Sequence, residues 1–131
     1  MILVDTSAWI EFLRDTRSAV CEEVDRLLSS DVAICDLIRM EVLAGARDDA
    51  HLRDLRGLLG RATMLPTEPV DHETAAALYR TCRRSGETVR KLIDCLIGAV
   101  ASRHRVAILH ADSDIDVLSR HTNVQVHQPE T

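Results

Sequence analysis

Met1-Ile2-Leu3-Val4-Asp5-Thr6-Ser7 is the stretch whose reading decides the fold. Three apolar residues in a row, ended by an acid and two hydroxyl residues, read as a short buried strand whose last side chain emerges at a rim. In open α/β sheets that rim, at the carboxyl ends of parallel strands, is where ligands bind. Asp5 is therefore either a site residue or only the start of the helix that follows.

Residues 8–13 are expected to form that helix, capped by Thr6 or Ser7, with Trp9, Ile10 and Leu13 turned inward. Apolar residues at 20, 24, 27 and 28 trace one stripe of a second helix, with Glu22, Glu23, Asp25 and Arg26 on its wet side. Val32-Ala33-Ile34-Cys35 is another buried strand, and Asp36 is placed to cap a helix over residues 37–44 that stops near Gly45. Glu41 lies three or four positions from Leu37, Ile38, Ala44 and Gly45, which have no charge, so it is expected to point to the interior or to a cleft rim, with a solvated face as the alternative.

Residues 48–59 make a further amphipathic segment, and Thr63-Met64-Leu65, bounded by Pro66 and Pro69, a short strand and turn. Asp71 is placed to cap a helix through Cys82 that buries Ala75, Leu78 and Tyr79. Arg83 and Arg84 then serve either as complement to its dipole or as phosphate contacts. The helix around Leu92-Ile93-Asp94-Cys95-Leu96-Ile97 is apolar nearly all round, which marks it as buried, with Asp94 its lone carboxylate. Arg90 and Lys91, four and three residues earlier, are expected on the same face, where they or a metal ion would compensate Asp94. The last buried strand, Val106-Ala107-Ile108-Leu109, runs into His110-Ala111-Asp112-Ser113-Asp114-Ile115-Asp116. Ser113 or Asp112 can cap the helix through Arg120, with Asp116 at a capping-box position relative to Ser113. Residues 123–127 are an edge-strand candidate, and the tail through Thr131 reads as frayed.

Strands alternating with helices imply crossover connections, hence an α/β fold: a three-layer α/β/α arrangement around a mainly parallel sheet of four to five strands, one domain over residues 1–131. One Trp, one Tyr and one Phe mean an aliphatic core. No stretch approaches the roughly 20 apolar residues of a membrane span, so no membrane partner is expected and the cytoplasm is the expected compartment. Four cysteines without a CxxC pair read as buried hydrophobes, and six scattered histidines suggest no zinc site. The net charge of −5 excludes a general nucleic-acid coat but not a local basic groove. Of the 16 basic residues only Lys91 is lysine; arginine is the better fork for phosphate, although genomic composition explains the bias equally well.

Asp5, Glu41, Asp94 and Asp112 or Asp114 can thus converge on one rim. Four carboxylates without a cation would raise one another's pKa values and destabilise the fold; Mg²⁺ or Mn²⁺ with oxygen ligands removes the conflict. A calcium loop does not fit the Asp112-Ser113-Asp114 run, which lacks glycine and glutamate at the required positions.

The spread Asp5-Thr6-Ser7, Glu41, Leu92-Ile93-Asp94-Cys95 and Asp112-Ser113-Asp114 resembles a PIN domain and, more narrowly, the VapC ribonuclease toxins of VapBC toxin–antitoxin pairs. The resemblance covers essentially the whole chain. It implies metal-assisted hydrolysis of RNA phosphodiesters, often in a structured tRNA or rRNA loop, with one or two Mg²⁺ or Mn²⁺ ions. It carries the ligand role over to Asp5, Glu41, Asp94, Asp112 and Asp114, and an assisting role to Thr6 and Ser7; Asp116 is better explained by the cap. Arg90 and Lys91 would steady Asp94 or touch the scissile phosphate, while Arg83, Arg84 and Arg14 would line an RNA track. A VapB-type antitoxin and a homodimer are the implied protein partners. Two alternatives stand beside this reading. A receiver-like phosphoacceptor domain also gathers Asp and Mg²⁺ at strand ends, but requires adjacent acids after the first strand and a lysine after a late strand. A non-catalytic PIN-like binding module would lack cleavage altogether.

Overall fold

The computed structural model describes residues 1–130; Thr131 lies outside the described residues. Four short strands form one sheet in the order β3-β2-β1-β4, every neighbouring pair parallel. They are β1 (Ile2–Val4), β2 (Val32–Cys35), β3 (Thr63–Leu65) and β4 (Ala107–Leu109). Helices α1 (Thr6–Leu13) and α2 (Ala19–Leu27) join β1 to β2, α3 (Asp36–Ala44) and α4 (Asp49–Leu59) join β2 to β3, and α5 (Pro69–Arg84) and α6 (Leu92–His104) join β3 to β4. Helix α7 (Ser113–His121) follows β4. Parallel strands need such crossovers, and helices over both faces leave the central strands no wet side. All four residues of β2 are accordingly buried, and Leu3, Val4, Ile108 and Leu109 are fully so. Each such side chain contributes about 1.5–3 kcal/mol through its removal from water.

Helix α6 carries the run expected to be buried: Cys95, Ile97, Gly98, Ala99, Val100 and Ala101 are all inside. Gly98 permits close packing there, since a Cβ on it would meet Val124 Cγ2 at 3.2 Å. The four cysteines are buried and unpaired, as small hydrophobes.

Several local expectations need correction. Asp5, rather than Thr6 or Ser7, caps α1, because the helix starts at Thr6, two residues before its apolar pattern. Only Trp9 of its apolar stripe is buried; Ile10 is 38% and Leu13 42% exposed. Cys35 precedes α3, and Asp36 lies in its first turn, accepting hydrogen bonds from the N–H groups of Leu37 and Thr67. Helix α5 begins two residues before Asp71, with Glu68 as cap in a reciprocal capping box and Asp71 in the first turn. Tyr79 is only partly buried. Asp112 caps α7, which removes Asp116 from the capping-box position. Residues 123–127 make one parallel bridge, Val126 to Ile108, in place of a full strand.

Glu23 is the largest departure. It was expected on the wet side of α2, yet it is 2% exposed. Arg26 grips both its oxygens, Nε donating to Oε1 at 2.7 Å and Nη2 to Oε2 at 2.8 Å, and His127 Nε2 lies 2.5 Å from that same Oε2. The tail folds back over α2, and local periodicity carries no information about a partner 104 positions away.

Candidate metal centre

β1 and β4 are parallel neighbours, so their carboxyl ends emerge side by side. The Asp5 N–H donates to the Leu109 carbonyl at 2.9 Å, which fixes Asp5 beside the start of the His110–Asp112 loop. Its Oδ2 accepts from the Ser7 N–H at 3.1 Å and the Ser7 hydroxyl at 2.6 Å. The same hydroxyl oxygen accepts from the Ala111 N–H at 2.9 Å, so Ser7 ties the end of β1 to the loop after β4. In that loop Asp112 donates its N–H to His110 Nδ1 at 3.0 Å and accepts from the Asp114 N–H at 2.9 Å. Helix α6 brings Asp94 in its first turn, and α3 brings Glu41, which accepts from the Thr6 hydroxyl at 2.7 Å.

These side chains converge on a recess of about 220 Å³ bordered by Asp5, Thr6, Ser7, Glu41, Lys91, Asp94 and Asp112. Asp5, Asp94 and Asp114 are each 3% exposed. Each keeps one buried carboxylate oxygen with no hydrogen-bond partner: Asp5 Oδ1, Asp94 Oδ2 and Asp114 Oδ2. Such orphans are costly unless a proton or a cation compensates them. Oxygens of Asp94, Asp112 and Asp114 lie within 4.8 Å of one another, close enough for one ion to be shared. An all-oxygen donor set of this kind fits a hard divalent cation. Asp5 and Glu41 border the same recess from the side of α1 and α3.

The electrostatics agree with that fit. Burial, reinforced by the charge of Asp5, pushes the Asp94 carboxyl up to about 7. For Asp112 burial acts upward too, but the Asp114 N–H and the Lys91 ammonium outweigh it, and its pKa falls below the usual carboxylate value. Lys91 Nζ stands 3.0 Å from Asp112 Oδ2 and 3.6 Å from Asp94 Oδ2. Arg90 turns away from Asp94: its Nε donates to Asp114 Oδ1 at 3.1 Å and its Nη2 to the Ser113 hydroxyl at 3.2 Å. The expectation that both cations share a helical face with Asp94 is thus corrected. The helix begins at Leu92, Lys91 is its cap residue, and Arg90 stands in the preceding loop, free to reach α7.

Asp116 is half-exposed and pairs with His110 Nε2 at 3.2 Å, outside the recess. Arg83 lies over the Tyr79 ring, 5.6 Å from its centroid, and neither it nor Arg84 borders the recess. Arg14 follows α1 and lines a neighbouring groove. Sequence reasoning missed the loop's anchor. Glu87 accepts from Arg120 at 2.9 and 2.6 Å and approaches His121 at 2.7 Å, which clips the segment carrying Arg90 and Lys91 to α7. No sequence signal links residues 33 positions apart in this way.

The family model described as PIN domain matches residues 2–120. Ribonuclease VapC11 of Mycobacterium tuberculosis is 47% identical over 129 residues, covering 95% of this chain and 96% of its own length. Among solved structures, VapBC-1 from nontypeable Haemophilus influenzae superposes with a TM-score of 0.76 at 17% identity, over 98% of both chains. VapBC2 from Rickettsia felis, bound to a DNA fragment from its promoter, superposes with a TM-score of 0.74 at 14% identity, over 97% of this chain and 98% of that one. At those identities the structural likeness speaks to the fold.

Proposed function

The chain belongs to the PIN-domain family, and from that premise we propose that it is a Mg²⁺- or Mn²⁺-dependent endoribonuclease, the toxin of a VapBC-type toxin–antitoxin pair. The observation that carries the metal dependence is the set of three unpartnered, buried carboxylate oxygens: those of Asp5 and Asp94, which border the recess, and that of Asp114, a residue that groups with Asp94 and Asp112 within 4.8 Å. Asp5, Asp94, Asp112 and Asp114 would hold the ion or ions, with Glu41 as a further ligand, direct or through water. A bound ion would supply Lewis acidity, polarising the phosphodiester and making water a competent nucleophile near neutral pH.

The protein's own groups prepare that chemistry. Ser7 orients Asp5 and holds the post-β4 loop against it, and Thr6 fixes the rotamer of Glu41. Lys91 and Arg90 stand at the mouth, more than half exposed, where a scissile phosphate would arrive. Preorganised cations of this kind stabilise charge that develops on phosphoryl oxygens.

RNA with unstacked, single-stranded bases, such as a tRNA or rRNA loop, is the substrate class. VapC11, almost half identical over nearly the whole chain, is named a ribonuclease. Both structural relatives are VapBC assemblies, which supports a VapB-type antitoxin as partner. A second copy of the chain is the further partner: Leu92, 63% exposed, borders an apolar depression with Leu37, Ile93 and Leu96, which a homodimer would cover. The receiver-like alternative is not supported, since the matching family is the PIN domain and no lysine follows β4.

The deciding experiment incubates the purified protein with total RNA and Mn²⁺ or Mg²⁺. Cleavage is expected, with loss of at least about 100-fold on adding EDTA or on Asp5→Asn. Cleavage that survives both sinks the metal mechanism, and a protein that binds RNA and metal without cutting is the non-catalytic module.

A further inference from the structure

A groove of about 460 Å³ does not belong to the acid cluster but opens beside it. It runs between α1, α3 and α4, and it shares Ile10 and Glu41 with the recess, so the two are continuous. Its walls combine two features. Ile10 and Leu13 present apolar surface at 38% and 42% exposure, although their helical stripe predicts burial. Beside them stand Arg14, just after α1, Arg47, in the α3–α4 connection, and His51, in the first turn of α4.

The two arginines differ from those that hold the fold together. Arg26, Arg90, Arg103 and Arg120 are each committed to carboxylates. Among the described residues neither guanidinium at the groove has an acid or a carbonyl as partner. His51 is held in place, since its Nδ1 accepts from the Arg47 N–H at 3.0 Å, and it lines the groove with Nε2 not engaged by that bond. A cleft with free guanidiniums, an imidazole and exposed aliphatic surface has the composition of a site for a nucleotide: phosphate on the arginines, base on the apolar and imidazole surfaces.

We propose that this groove is a nucleotide-binding subsite, holding the single-stranded RNA next to the bond to be cut, with Arg14 and Arg47 on its backbone phosphates and His51, Ile10 and Leu13 against a base. The inference rests on the ribonuclease reading. Continuity through Ile10 and Glu41 sets the geometry: a strand lying in the groove delivers its neighbouring phosphate to the carboxylates. Glu41 marks the boundary, where an anionic strand could pass only with its charge compensated. An extended peptide is the competing occupant, and the arginines favour the polyanion.

The test measures binding of a labelled, mixed-sequence single-stranded oligoribonucleotide to the full chain carrying Asp5→Asn, which prevents turnover. Adding Arg14→Ala and Arg47→Ala together is expected to weaken binding at least 10-fold and to reduce the slope of log affinity against log salt by about 1.4, the release expected for two phosphate contacts on a single strand. His51→Ala is expected to weaken binding with the salt slope unchanged. The pair Arg53→Ala and Arg80→Ala, which removes the same charge from exposed positions outside the groove, is the control. A double groove variant that binds as the control does overturns the proposal. So does one that keeps RNA affinity but loses the antitoxin, since that assigns the groove to the protein partner. A parent chain that cuts RNA while the groove variants keep the parent's affinity leaves the ribonuclease reading standing without the subsite; a parent that neither binds nor cuts RNA removes both.

Discussion

Lys91 holds its ammonium 3.0 Å from an oxygen of Asp112 and, at 3.6 Å, also faces the unpartnered Oδ2 of Asp94. The only lysine of the chain therefore stands where a divalent cation would have to approach the same two carboxylates. A monovalent ammonium neutralises part of the cluster and satisfies one oxygen with a hydrogen bond, leaving the remainder for an ion.

Lys91→Met should then act in opposite directions on the free and the metal-bound protein. Its side chain is 54% exposed, so solvent screening limits its contribution to the free protein to about 1 kcal/mol or less. The variant is expected to be slightly less stable in EDTA but to bind Mn²⁺ more tightly, since no cation has to be displaced. Mn²⁺ titration followed by electron paramagnetic resonance reads the affinity directly. Weaker Mn²⁺ binding in the variant would contradict the competition.

Asp94 makes the free protein sensitive to pH. Its carboxyl is pushed up to about 7 by burial and then by Asp5, against 3.8 in an ordinary environment. Folding thus favours the protonated form, and the associated stability is fully present below about pH 4 and is lost as pH rises through about 7, a change on the order of 2–4 kcal/mol. Asp94→Asn should remove this dependence. In EDTA, urea denaturation of parent and variant should show the variant's advantage growing between pH 5 and 8, and added Mn²⁺ should stabilise only the parent. An advantage that stays flat across that range would refute the assignment.

Strands β1, β2 and β4 were legible in the sequence as short apolar runs with a carboxylate at or just beyond their ends, since a buried parallel strand needs no alternation to be recognised. The convergence of Asp5, Asp94, Asp112 and Asp114 follows once β1 and β4 are neighbours. Ile10 and Glu23 were misread because helical periodicity reports which faces can be buried, not which receive a partner. Ile10 lost its cover to an open groove, whereas Glu23 gained cover from a tail over a hundred residues away. Asp71 fits the same pattern: its place near the start of a helix was visible, but the two bonds from Arg103 at 2.9 Å that make its burial tolerable were not.

Glu23 should matter for stability although it lies away from the acid cluster. Arg26, and after it His127, hold its carboxyl down at about 2 despite the opposing effect of burial. A depressed carboxyl contributes stability above its ordinary value of 4.5 that is lost as pH falls toward 2. Glu23→Gln keeps the shape but not the charge, and is expected to cost about 1–3 kcal/mol at pH 7 and to loosen the tail where it pairs with Ile108. Hydrogen exchange at the His127 amide, which donates to the Ile108 carbonyl at 2.9 Å, reports that loosening. Unchanged exchange together with unchanged stability would show that the buried pair does not hold the tail.

Leu92 is the most exposed of the large apolar side chains, and it stands one residue from the helix cap that carries Lys91. If a second copy covers it, dimerisation excludes water beside the entrance of the acid recess as well as closing the apolar depression. Leu92→Glu places a charge where that contact would form, which costs several kcal/mol once desolvated without a partner. The substitution leaves the fold untouched, because the side chain already stands in solvent in the single chain. Sedimentation equilibrium should therefore show a dimer for the parent and a monomer for the variant, with matching circular dichroism and thermal unfolding differing only through the lost association. A variant that still sediments as a dimer would move the interface to another face.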